Sequence, residues 1–242
     1  MASEDLDRYS DTYLAPTADR RVDQFFVEAI CDEIIPGLQG PRILEMGVGD
    51  QVWTPKLLRR FADVTSVDGS KILLDRMGAA LDPALRDRWS PVHSYFEDYR
   101  PAAPYDEVLA TSVLEHVDDP AVVLAACRGW LRPGGRLQVL VPHAMSLHRR
   151  LAVEMGMIDN VGRLGEADRR LGHKHCFTWV EMDRLIGDAG FRVLSRRGLF
   201  TKLLPNALMA DCTDAQLLGM VALGKALPID YAAVVHFVAE PC

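Results

Sequence analysis

The stretch Arg42-Ile-Leu-Glu-Met-Gly-Val-Gly-Asp50 constrains this chain more than any other. Ile43 and Leu44 close a short apolar run that reads as a buried strand. Glu45 ends the run, and Gly47 and Gly49 follow at alternate positions. Asp50 then opens a helical pattern of Trp53, Leu57, Leu58 and Phe61, with Asp50 itself as the expected N-cap. A strand that turns on glycines into a helix leaves bare backbone for a ligand to touch. It also aims the free amide hydrogens of a helix N-terminus at that ligand. The turn is therefore expected to floor a cofactor pocket.

The rest of the chain narrows the classes that such a turn can serve. At 242 residues and 49% hydrophobic content, the chain suits one large α/β domain, or one domain with a cap, and can bury a full core. The net charge is −7 with no run of Lys and Arg, which argues against a nucleic-acid partner held through phosphates. The five cysteines are odd in number, far apart and never in a C-x-x-C pair, so buried thiols fit better than zinc ligands or disulfides. No apolar run approaches the length of a membrane span, and the acidic Met-Ala-Ser-Glu-Asp start lacks a signal-peptide core. A cytoplasmic protein without membrane contact is expected. A homodimer is compatible with the composition, which does not fix the oligomeric state.

Along the chain, residues 1–40 read as a polar N-terminal segment followed by a helix. Tyr9, Tyr13 and Leu14 are the large apolar groups of the segment, and it can serve either as a frayed end or as a lid over the cofactor. Phe25, Phe26, Ala29, Ile30 and Ile34 form one face of the helix, which Pro36-Gly37 ends. Residues 41–141 alternate strand and helix: strands at 42–45, 64–67, 89–93, 108–110 and 136–141, with helices after 50, over 71–81 and over 120–130. Asp119-Pro120 caps the last of these helices. Residues 142–176 break the rhythm and read as a helical cap insertion over the strand ends. Residues 177–242 return to the core. Thr178-Trp-Val-Glu181 and Thr213-Asp-Ala-Gln216 are capping boxes, strands are expected at 191–194 and 234–238, and a substrate-side insertion covers about 199–227. Strands alternating with helices imply a doubly wound, seven-stranded, mostly parallel α/β sheet covered on both faces. The first, second, fourth and fifth strands then end at one crevice, where such sheets bind ligands.

Two acids shape that crevice. Asp68 lies 19 residues past Gly49 at the end of the next strand, a position from which a carboxylate accepts from ribose hydroxyls. Its structural alternative is a helix N-cap. Glu45 ends an apolar strand and would be costly to bury without a donor. A dinucleotide fold wants a third small residue where Val52 stands, and a pyrophosphate would be repelled by Glu45. The ligand best suited carries a ribose and a positive charge but no phosphate, as S-adenosylmethionine does.

With these features the sequence resembles the class I S-adenosylmethionine-dependent methyltransferases. Glu45-Met-Gly-Val-Gly49 is similar to their first motif, E-x-G-x-G-x-G, with Gln51 at the third glycine. Asp68 matches their ribose acid, Phe96-Glu97-Asp98 sits where they contact adenine, and Leu114-Glu-His-Val-Asp-Asp-Pro120 resembles the motif after their fourth strand. Leu131-Arg-Pro-Gly-Gly135 resembles the turn before the fifth strand, and Ala189-Gly-Phe191 the approach to the sixth. A second resemblance links His148-Arg-Arg-Leu-Ala-Val-Glu-Met-Gly156, Leu171-Gly-His173 and Gly198-Leu-Phe-Thr-Lys-Leu-Leu-Pro-Asn206 to a bacterial subgroup that modifies sugars or secondary metabolites.

The resemblance implies a Rossmann-like methyltransferase fold and assigns roles. Glu45, Gly47, Gly49, Asp68, Gly69, Ser70, Phe96, Glu97, Asp98, Thr111, Ser112, Val113, Leu114 and Tyr13 would contact the cofactor, although Val113 and Leu114 can equally be core. The substrate is expected to be a small-molecule acceptor, contacted by Tyr9, His148, Arg149 and His173, with Arg163 a further candidate for holding an anionic group. Five of the seven histidines fall between 116 and 175, and an alcohol acceptor needs its proton removed. His143, directly after the fifth strand, is the first candidate base, with His175 and His116 behind it. No acid–histidine group shows metal-ligand spacing, so no metal is expected. O-methylation is the leading reading. N-methylation of an amine, a non-catalytic S-adenosylmethionine-binding module and an NAD-dependent oxidoreductase are the rivals.

Overall fold

The computed structural model describes residues 6–14 and 18–242. A short turn of 3-10 helix at Leu6–Tyr9 leads into α1 (Ser10–Leu14) and α2 (Ala18–Ile34). The Rossmann-like core follows in chain order: β1 (Arg42–Met46), α3 (Trp53–Arg60), β2 (Asp63–Asp68), α4 (Lys71–Ala80), α5 (Pro83–Arg86), β3 (Trp89–His93), β4 (Tyr105–Thr111), α6 (Pro120–Trp130) and β5 (Leu131–Pro142). Next come α7 (Leu147–Glu154) and α8 (Glu166–Arg170), then α9 (Trp179–Asp188), β6 (Phe191–Gly198), α10 (Asp214–Ala226) and β7 (Val234–Pro241).

The seven strands form one sheet in the order β3-β2-β1-β4-β5-β7-β6. The first five are mutually parallel, and β7 runs antiparallel to both β5 and β6. The chain works outward from β1 to β3, then crosses back to β4, so strand order reverses between β1 and β4. This is the seven-stranded, mostly parallel sheet expected from the strand–helix alternation.

Side-chain alternation divides the core into two layers. On one face Leu44, Met46, Val108, Ala110, Val139 and Val141 pack with α6 and α9 through Val123, Leu124, Met182 and Ile186. On the other, Ile43, Leu109 and Leu140 from the same strands meet α2, α3 and α10 through Phe26, Leu57, Leu58 and Leu217. Neighbouring residues on one strand thus serve opposite layers, as pleating requires. The stretch after β6 joins the second layer: Phe200 stacks on Phe26 at 4.1 Å between ring centroids.

The helix punctuation follows the sequence closely. Both capping boxes form, Thr178 with Glu181 and Thr213 with Gln216. Asp119 accepts from the amides of Ala121 and Val122 ahead of Pro120. The expected N-cap of α3 does not form. Asp50 instead accepts from Val52 N at 2.9 Å, which closes a tight turn, and the helix begins at Trp53.

A polar chain crosses the middle of the sheet, unannounced by periodicity. His236 Nε2 lies 2.8 Å from Gln138 Oε1, and Gln138 Nε2 donates to Glu107 at 2.9 Å. Glu107 also accepts from Gln39 N at 3.1 Å.

Two glycines of α10 separate a packing constraint from a backbone preference. A Cβ on Gly224 would lie 2.3 Å from Phe200 Cα, whereas one on Gly219 would meet nothing within 4 Å. Gly219→Ala should stabilise the fold by up to about 1 kcal/mol through helix propensity. Gly224→Ala should destabilise it by about 1–3 kcal/mol through overpacking. Urea unfolding of the two variants checks the pair.

Candidate nucleoside site and the acid–histidine cluster

The glycine turn sits at the reversal of strand order. Gly47 has φ +77°, and its amide donates to Val67 O at 2.8 Å, so the turn begins still hydrogen-bonded to β2. A Cβ at Gly47 would meet Val113 Cγ1 at 2.8 Å. Gln51 stands where a third glycine would and takes the glycine-like φ of +63°. Its amide donates to Val48 O at 2.9 Å and its side chain to Leu73 O at 3.1 Å. These bonds hold the loop on a path that a left-handed non-glycine residue would otherwise resist.

Asp68 joins this turn to the next. One carboxylate oxygen accepts from Val48 N at 2.8 Å, the other from Ser70 N at 2.7 Å. Asp68 is not the helix N-cap: it orders the turn before α4, a helix that Ser70 caps, and ties that turn to the glycine turn at the end of β1. Ser70 is the N-cap of α4 and accepts from Leu73 N. Burial raises the Asp68 carboxyl against the pull of these two amides.

Glu45 departs from expectation. It is 1% exposed, yet it needs no cationic ligand for its donors, because Thr54 and Ser66 hydroxyls donate to it at 2.7 and 2.5 Å. Burial pushes its carboxyl up to about 8, with the two hydroxyls opposing.

The N-terminal segment lies across the floor. Asp7 accepts from Ser70 Oγ at 2.6 Å. Leu6 covers Gly69, Tyr13 covers Gly49 and Tyr9 covers Gly172: a Cβ on these glycines would lie 2.5, 3.0 and 2.9 Å from the respective side chains. Tyr95 borders Gly69 from the turn after β3. In that turn Phe96 packs on the core, Glu97 is half-buried and Asp98 exposed. Thr111 is half-buried and Ser112 exposed, with Ser112 at φ +53° donating from its amide to Leu140 O at 2.9 Å. Val113 and Leu114 are buried in the first core layer, although Val113 also faces Gly47.

Beyond Leu114 the fold gathers a group that spacing does not reveal. Glu115 carbonyl oxygen accepts from the amides of Lys174 and His175 at 2.7 and 3.1 Å, which ties the turn after β4 to the end of the 142–176 stretch. His173 is thereby brought beside His116, with ring centroids 4.7 Å apart. Ligand atoms of Glu115, His116 and His173 all lie within 4.8 Å of one another. The absence of metal-ligand spacing in the sequence thus did not exclude an acid–histidine group. His116 Nε2 is 3.1 Å from the Tyr13 hydroxyl, and burial pushes its imidazole down to about 3. Burial pushes the Glu115 carboxyl up to about 7.

The other histidines are set differently. His143 Nδ1 donates to Ala232 O at 3.2 Å, while Nε2 is buried and without a partner among the described residues. Burial lowers its pKa, so the ring is neutral and Nε2 keeps its lone pair. His175 Nε2 instead lies 3.0 Å from Val117 O and its ring stacks on Phe177. That nitrogen is committed to a carbonyl, which weakens its case as a base. Half-buried His148 has a buried Nδ1 without a partner among the described residues. Arg149 is taken up within the cap, donating to Val161 O at 2.8 Å, to Asp168 at 3.2 Å and to Arg163 O. Arg163 itself pairs with Asp159.

A glycine turn at a strand-order reversal, with an acid at the next strand end, is the arrangement of the Rossmann-like methyltransferase class. A family model described as "Methyltransferase domain" matches residues 16–196. The chain belongs to this methyltransferase-domain family and has the Rossmann-like fold of the class I S-adenosylmethionine-dependent methyltransferases. It is 30% identical over 118 residues to the mitochondrial ubiquinone biosynthesis O-methyltransferase of Schizosaccharomyces pombe, a match covering 48% of this chain and 43% of that protein. The match thus spans under half the length of that curated relative. Among solved structures, the CcbJ methyltransferase of Streptomyces caelestis superposes with TM-score 0.62 at 17% identity, covering 98% of this chain and 97% of that one. The S-adenosylmethionine-dependent methyltransferase of Mesorhizobium loti gives TM-score 0.61 at 18% identity over 87% and 95% of the two chains. At such identities these structures speak for the fold.

The buried acids generate a pH dependence of stability. The folded pKa values of Glu45, about 8, and Glu107, about 7, lie above the ordinary carboxylate range. A raised acid binds its proton more tightly when folded. Its contribution is therefore complete below pH ~4 and is lost as pH rises through the folded value. Thermal stability should fall as pH rises from about 4 to about 8 and level off above that, and Glu45→Gln should flatten the fall. The difference should reach several degrees, at about 2–4 °C per kcal/mol for a chain of this size. Melting curves at pH 5 to 9 check this.

Proposed function

We propose that the protein transfers the methyl group of S-adenosylmethionine to a hydroxyl of a small-molecule acceptor. The observation that carries the reading is the glycine floor bounded by Asp68. The turn at Gly47 and Gly49 would receive the methionine part, and Asp68, with Gly69 and Ser70, the ribose. Tyr95 and Phe96, with Glu97 or Asp98, would border the adenine. Tyr13 and Leu6 rest on Gly49 and Gly69, so residues 6–14 shift to admit the nucleoside and then close over it. The bound cofactor supplies an electrophilic methyl on a good leaving group. The protein's share is to align the acceptor and exclude water.

His143 is the proposed base. Its Nδ1 is fixed on Ala232 O, which leaves Nε2 to take the acceptor proton. Residues 142–176 form the proposed acceptor cap, with Tyr9, His148 and His173 at its inner side and residues 199–227 as a further boundary. Arg149 supports the cap from within rather than gripping substrate, given its three internal bonds. The ubiquinone-biosynthesis name of the relatives supports an oxygen acceptor, and the subgroup resemblance supports sugar or secondary-metabolite biosynthesis. A cytoplasmic setting fits the five free cysteines.

Two outcomes test the reading. Asp68→Asn should weaken S-adenosylhomocysteine binding tenfold or more by calorimetry, about the worth of one lost hydrogen bond to a charged group. Unchanged affinity would place the ribose elsewhere. With a panel of phenols, sugars and amines, His143→Gln should lower the rate on oxygen acceptors by about 10²–10⁴-fold and leave nucleoside affinity unaltered. Turnover of amines alone would favour N-methylation.

A further inference from the structure

We propose that Glu115, His116 and His173 form a binding site for a divalent transition-metal ion. The first observation is an orphaned carboxylate. Glu115 is 1% exposed, and neither of its side-chain oxygens has a hydrogen-bond partner among the described residues. Lys174, the cation beside it in the chain, reaches instead to Asp118 at 2.7 Å. A buried acid with no hydrogen-bond donor from another residue carries a desolvation cost that the nearby His173 opposes only in part. Glu45 and Glu107, equally buried, both have donors. Glu115 differs from them in what it faces.

The second observation is what lies opposite. The ligand atoms of Glu115, His116 and His173 are within 4.8 Å of one another. Metal–nitrogen and metal–oxygen bonds of about 2.1 Å hold ligand atoms about 3–4 Å apart, so the group needs to tighten by about 1 Å. His173 is oriented for this. Its Nδ1 donates to Asp168 Oδ1 at 3.1 Å, which leaves Nε2 with its lone pair. A carboxylate behind a ligating histidine is the usual outer support of such sites. Asp168 is in turn held by Arg149 at 3.2 Å and by the Gly165 amide at 2.7 Å. His116 offers Nε2, now shared with the Tyr13 hydroxyl at 3.1 Å. Two imidazoles and one carboxylate favour zinc, manganese or iron over magnesium or calcium, and three protein ligands leave positions open. Resting on the methyl-transfer reading, those open positions would receive the acceptor oxygen and lower its pKa, which selects acceptors whose hydroxyl binds a metal as its anion.

The test begins with metal alone. The intact chain, stripped with chelator and titrated with Zn²⁺ in a calorimeter, should bind one ion with micromolar or tighter affinity and melt at a higher temperature when loaded. Glu115→Gln and His173→Ala should each weaken binding tenfold or more. Both variants keep all five cysteines, so adventitious thiol binding would be untouched. Metal-free Glu115→Gln should melt at or above the parent temperature, because it replaces an unpartnered buried carboxyl by a neutral group of the same shape, and this guards against mere misfolding. No Zn²⁺ binding, or equal binding by parent and both variants, would overturn the site. Nucleoside binding measured on the same samples keeps the two readings apart: its loss in the parent would strike the methyl-transfer reading and leave the metal result standing.

Discussion

The double acceptance by Asp68 is the interaction on which the site depends. One carboxylate holds the Val48 amide of the first turn and the Ser70 amide of the second. Two loops that leave adjacent parallel strands are thereby fixed to each other. Without that clamp the glycine turn would be a loose loop over a strand end, and its bare backbone would present no defined surface. The clamp needs the parallel pairing of β1 with β2 to bring the two strand ends level, and the two core layers hold that pairing. Fold and site are coupled through this one side chain.

Around the clamp the chain handles buried charge in three ways. Glu45 is given two hydroxyl donors, Glu107 is drawn into a chain with Gln138 and His236, and the Glu115 side chain finds no partner among the described residues. The first two arrangements consolidate the sheet. The third lies where the turn after β4 meets the end of the 142–176 stretch, and two backbone bonds to Glu115 O fix that meeting. The N-terminal segment approaches the same place through Tyr13, which touches Gly49 on one side and His116 on the other. Three distant parts of the chain thus converge beside the nucleoside floor.

Local signals in the sequence were legible wherever one element's own residues decide its form. The strands expected at 42–45 and 136–141, the Asp119-Pro120 start and the two capping boxes rest on residues a few positions apart, and the structure keeps them, with β1 one residue longer and β5 starting at Leu131. The α3 start was misread because Asp50 has two local options, and it closes a turn on Val52 instead of capping. Glu45 was misread because its donors come from β2 and α3, which no spacing rule connects to it. The same holds for the pairing of Glu115 and His116 with His173, more than fifty residues away.

By itself the sequence determined the succession of strands and helices, the glycine turn and the acid that follows it. These rest on short-range sterics, hydrogen bonding and hydrophobic period, which are written into neighbouring residues. Only the tertiary structure decided which buried acids find donors, which histidine nitrogens are left free, and that residues 6–14 lie over the glycines. Those outcomes depend on groups brought together by sheet pairing and layer packing, and their distances are set by the whole core rather than by any single segment.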